Sequence, residues 1–87
     1  MNLVQLRMAR AGLGWSQERL AEAADMSLYA YKGVEEGRWL GMELYMSRLR
    51  AALEQAGITF LDDDGSGFGV RRKGASGAEV WRHLSVR

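Results

Sequence analysis

The sequence predicts a mainly α fold, with four to five helices followed by a C-terminal β-hairpin and a short extension, on three observations. Apolar residues recur at helical spacing through most of the first 57 positions, and a serine stands as a cap before two of these runs. The pattern then changes to a β-branched and aromatic run, a turn rich in Asp and Gly, and a second extended run. Finally, 87 residues make a single domain, near the size at which folding buries only about 60% of the unfolded surface. A partner copy would add stability at this size.

The first helix is expected from Asn2 to about Gly12. Leu3, Leu6, Ala9 and Leu13 form its apolar stripe, with Gln5, Arg7 and Arg10 off the stripe and Gly12 and Gly14 ending it. Ser16 caps a second helix, where Glu18 in the first turn suits the helix dipole. That helix buries Leu20, Ala21 and Ala24 before Asp25, Met26 and Ser27 break it. Ser27 caps a third helix from Leu28 to about Glu36, closed by Gly37, with Tyr31 and Val34 facing the core. A fourth helix, about Met42 to Ala56, carries Met42, Met46, Leu49, Leu53 and Ala56 on one stripe and stops at Gly57. Two short capped helices meeting across a three-residue break are how a helix-turn-helix is written in sequence, and that motif points to DNA.

After Gly57, Ile58–Leu61 and Phe68–Arg72 read as two strands joined by the turn at 62–67. An isolated hairpin is marginal in water, so it either packs on the helices or pairs across a dimer axis. From Ala78 to Leu84 a short helix is expected, anchored by Val80, Trp81 and Leu84. The division that follows is a helix-turn-helix domain at 1–57, a hairpin serving as dimerisation element at 58–73, and an extension at 74–87.

Composition narrows the chemistry. Zero cysteines and one histidine exclude a disulfide framework and argue against zinc, so no metal and no cofactor is expected. No apolar run approaches the roughly 18 residues of a membrane span and no leader pattern opens the chain, so a cytoplasmic protein is expected. No nucleophile and base can be assembled, which argues against an enzyme. A net charge of +1 leaves any DNA binding to local charge. Asp62, Asp63 and Asp64 lack the later bidentate acid of a calcium loop and read as a solvated turn. His83 reads as a surface or packing residue. Trp15 and Trp39 are expected over the helix junctions, and Trp81 over the extension.

Arg7, Ala9, Arg10, the run Gly14 to Glu18, Leu20, Ala21, Ser27, Lys32, Glu35 and Gly37, in this order and spacing, resemble the Cro/C1-type (XRE family) helix-turn-helix regulators. The likeness covers about residues 5 to 73, and the stretch from Arg50 to Lys73 is similar to the tail of a bacterial subgroup. It implies a lambda-repressor-like helix-turn-helix domain. It further implies that Gln17 contacts a DNA phosphate, that Ser27 caps the recognition helix and touches the backbone, and that Arg10 and Glu35 form an ion pair between the first and third helices. Ser16 and Arg38 join the DNA-contacting set at the ends of the motif.

At the base-reading positions the sequence departs from that family, which favours Arg, Gln, Asn, Ser or Thr there. Here they are Leu28, Tyr29, Lys32 and Gly33. Leu28 suits a thymine methyl, Tyr29 a base edge or phosphate, Lys32 a guanine or phosphate, and Gly33 only close approach. Tyr31, usually aliphatic in the family, is expected in the core with its hydroxyl at the rim. Arg71, Arg72 and Lys73 read equally as a phosphate-contacting strand or as a charged edge that resists aggregation. The expected function is a homodimeric repressor reading an inverted-repeat operator in double-stranded DNA. The alternative is a protein-interaction module, an antiactivator or antitoxin, whose Leu28, Tyr29 and Tyr31 face binds a protein partner.

Overall fold

Helix α1 (Leu3–Leu13) starts at a capping box. The Asn2 side chain accepts from the Gln5 amide at 2.8 Å, and Gln5 Oε1 accepts from the Asn2 amide at 3.0 Å. The structure, a computed structural model, describes residues 1–38, 43–74 and 77–83. The helix passes through Gly12 and ends at Gly14, whose φ of 67° is the left-handed cap a glycine adopts freely. Gly12 belongs inside the helix for a packing reason: a Cβ there would lie 2.8 Å from Cζ3 of Trp81.

Helices α2 (Gln17–Ala23) and α3 (Leu28–Glu35) each begin at a serine cap. Ser16 Oγ accepts from the Arg19 amide at 3.1 Å and Ser27 Oγ from the Ala30 amide at 3.0 Å. Between them Asp25 holds a φ of 54°, a left-handed conformation that costs a non-glycine residue about 1 kcal/mol. Helix α4 (Glu43–Gln55) buries Leu49 and Leu53, and the chain leaves it through Gly57 at a φ of 99°. The expected roles of Trp39, Met42 and Leu84 fall on residues outside those described.

The second half of the chain corrects the fold class. It is a three-stranded antiparallel sheet in the order β1 (Ile58–Leu61), β2 (Gly69–Gly74), β3 (Gly77–Arg82). The protein is therefore a mixed α/β domain, not a mainly α one with a hairpin and a loose extension. The helix expected at Ala78–Leu84 is the third strand, in register from Gly69 opposite Arg82 to Gly74 opposite Gly77. The neighbouring Val80 and Trp81 looked like one face of a helix. In the strand they point to opposite sides, Val80 exposed and Trp81 half-buried on the helices. Open hydrogen-bonding groups along β2 reward a third strand more than a short terminal helix rewards itself.

The hairpin packs on the helices. Ile58 and Val70 join Leu6, Leu20, Tyr31, Val34, Leu49 and Leu53 in one hydrophobic core. Each fully buried leucine contributes about 2 kcal/mol. Gln5, expected at the surface, is buried: its Nε2 donates to the carbonyls of Leu61 at 3.0 Å and Gly69 at 2.9 Å. Arg72 Nη1 makes a second tie, to the Gly12 carbonyl at 3.1 Å. Residue 57 thus marks a change of secondary structure within a single core.

Candidate nucleic-acid interface

The α2 and α3 helices stand against α1 through one carboxylate. Glu35, near the end of α3 and buried, receives Arg10 Nη2 on Oε1 at 3.1 Å and Gln17 Nε2 on Oε2 at 2.6 Å. Arg7 Nε lies 3.8 Å from the same Oε1, and Arg7 Nη2 donates to the Glu35 backbone carbonyl at 2.5 Å. Burial alone would lower the Arg10 pKa, but the hydrogen bond and charge of Glu35 outweigh it and hold it above its ordinary value. The carboxylate therefore fixes where α3 sits relative to both α1 and the start of α2. Arg7 completes this hub. Three positions apart on α1, Arg7 and Arg10 share one face of the helix and reach the same carboxylate.

Tyr31 lies beside this hub and is fully buried, hydroxyl included, which corrects the expectation of a rim hydroxyl. Its hydroxyl makes no hydrogen bond, and Arg10 Nε is likewise buried without one. Burial first, and the Glu35 carboxylate second, push the Tyr31 pKa up to about 12.

The residues proposed from sequence to touch DNA differ in how far they face solvent. Ser16 and Ser27 are exposed caps, each accepting an amide through its oxygen while its hydroxyl proton stays available as a donor. Gln17 is half-buried, and its amide nitrogen is turned inward to Glu35 rather than outward. Tyr29 and Lys32 are exposed on one side of α3, while Leu28 is half-buried against the core. Gly33 is buried beside Val34, so it offers no surface to the outer face. Arg38 follows α3. Its guanidinium lies 5.7 Å from the Tyr29 ring centroid and its Nε is 2.9 Å from Glu36 Oε2. Arg19 stacks 5.0 Å over Trp15, a cation at the start of α2 that sequence reading passed over.

Acids lie close by. Glu18, Glu22 and Asp25 line a shallow cleft with Met26, Ser27 and Leu28, between the back of α2 and the start of α3. Elsewhere, Asp63 Oδ1 accepts from the Gly65 and Gly67 amides, both at 2.9 Å, and Asp64 accepts from Ser66, so these carboxylates order their own turn. His83 stacks on Phe68 with centroids 5.0 Å apart. Among the described residues no group of three or more acids, histidines or cysteines is arranged to hold a metal, and no helix is long and apolar enough to cross a membrane. Comparison with protein-family profiles, curated proteins and solved structures gave no match to this chain.

Proposed function

We propose that this chain is a sequence-specific DNA-binding regulator of transcription, a homodimeric repressor that lays α3 in the major groove of an inverted-repeat operator in the cytoplasm. The observation that carries this reading is the α2–turn–α3 unit, whose second helix is locked to α1 by Glu35 while its Tyr29 and Lys32 side stays outward. A recognition helix has to be held rigidly, because base-edge hydrogen bonds tolerate little displacement. In this reading the hydroxyls of Ser16 and Ser27, with the helix-start amides around them, bind phosphates and set the docking pose. Lys32 takes a guanine edge or a phosphate, and Tyr29, braced by Arg38, faces the bases. Two copies would place their α3 helices about 34 Å apart, one turn of DNA.

The apolar partner face expected from Leu28, Tyr29 and Tyr31 loses Tyr31 to the core, but the acidic cleft between the back of α2 and the start of α3 favours a second reading, in which that cleft holds a basic protein segment. The two separate in a salt-titrated binding measurement on DNA from just upstream of the gene, against a random duplex. Selective binding whose log affinity falls linearly with log salt fits the regulator, and Tyr29→Ala then changes the preference among operators. Binding no better than to random DNA would refute the regulator and leave the protein partner.

A further inference from the structure

Successive side chains of a strand point to opposite faces of its sheet, so the basic run on β2 is divided between two environments. Arg72 turns toward the helices, bonded to the Gly12 carbonyl and 3.9 Å from Glu79 Oε1. Arg71 and Lys73 turn outward. Both are exposed, and neither side chain has an ion pair or hydrogen bond among the described residues. Thr59 stands directly across from Arg71 in the β1–β2 register and is exposed on the same face. These three side chains line a shallow concavity with Gly57 and Gly74, where no side chain would hold a ligand off. Glu54, on its rim, lies 3.6 Å from Arg50 and is partly neutralised by it.

We infer that this outer sheet face binds the sugar–phosphate backbone of nucleic acid, with Arg71 and Lys73 as phosphate ligands and the Thr59 hydroxyl as a third donor. The inference rests on the reading of the chain as a DNA-binding protein. Residues two apart on a strand are roughly 7 Å apart, so the two cations can reach different phosphates of one strand. Side by side without counterions, they also repel each other, and an anion between them removes that cost. The surface carries no base-reading geometry, so it should add affinity equally on every sequence.

Arg71→Gln and Arg72→Gln remove the same charge from adjacent positions of one strand, which makes them a matched pair. In the full chain, affinity for a random-sequence duplex is measured across salt. Arg71→Gln should reduce the slope of log affinity against log salt by about 1, and Arg71→Gln with Lys73→Gln by about 2, at unchanged melting temperature. Arg72→Gln should leave the slope alone and lower the melting temperature. An unchanged slope in the double variant overturns the inference. Lys32→Gln on the same duplex keeps the two surfaces apart. A slope loss there alone overturns the sheet and leaves α3. A loss in the sheet variant alone does the reverse; a random duplex that the native protein fails to bind overturns the sheet, and failure on the upstream fragment too overturns the regulator.

Discussion

Replacing Gln5 with alanine removes one side chain that closes two structures at once. Its Nε2 is the donor for the Leu61 and Gly69 carbonyls, at 3.0 and 2.9 Å, and its Oε1 completes the capping box with Asn2. The Gly69 carbonyl bond is buried and the Leu61 bond partly so; a buried acceptor left without a donor costs about 1–3 kcal/mol. Counting one such loss in full, the other in part and a weakened cap, Gln5→Ala should cost about 2–4 kcal/mol. In a domain of this size that lowers the melting temperature by roughly 10–25 °C. Asn2→Ala provides the control, since it removes the cap and keeps the bridge to the sheet, for about 1 kcal/mol. Both variants are read by urea and thermal unfolding followed by circular dichroism. A Gln5→Ala midpoint no lower than that of Asn2→Ala would refute the bridge as a source of stability. Two separate transitions in the native protein would refute the single shared core.

Three further outcomes follow from the geometry. An unfolded tyrosine loses its proton near pH 10, whereas folded Tyr31 keeps it to about 12; between those values the unfolded state binds fewer protons, so stability falls by about 1 kcal/mol or slightly more per pH unit. Tyr31→Phe should therefore match or exceed the native stability at neutral pH and lose less of it between pH 10 and 12; parallel curves in urea melts would count against the buried hydroxyl. Gly69→Ala puts a Cβ 2.1 Å from the Trp81 carbonyl oxygen and 3.0 Å from Arg82 Cα, so β2 and β3 must part, costing about 1–3 kcal/mol. An unaltered melting temperature would contradict that contact. Asp25→Gly relieves the left-handed φ of 54° and should stabilise by about 0.5 kcal/mol or more, with a lower urea midpoint as the opposing result.

The helical half was legible because its signals are local. Ser16, Ser27 and Gly57 sit at element boundaries, and the apolar stripes of α1 and α4 repeat often enough to fix a period. The third strand was not legible. Its half-buried aromatic, Trp81, packs over Gly12, nearly 70 positions earlier in the chain, and a glycine in a helix reads as an end. Gln5 was misplaced for a similar reason: it lies off the apolar stripe of α1, and nothing nearby announces two carbonyls from the sheet. At the candidate interface, residue types gave the caps, and the resemblance, not residue type or spacing, gave the Arg10–Glu35 pair. They did not give the inward turn of Gln17 or the burial of Gly33, because both depend on how α3 is rotated against α1.

The place of β2 at the middle of the sheet also decides when the molecule can be finished. It contacts α1, pairs with β1 on one side, and has no neighbour on the other until Gly77–Arg82 exists. A chain made from its N-terminus exposes α1 to α4 first, with Leu6 and Ala9 lacking the cover that the sheet brings. Closure waits for β3, so a product truncated before Gly77 carries its apolar helix faces open to whatever chaperone or protease arrives first.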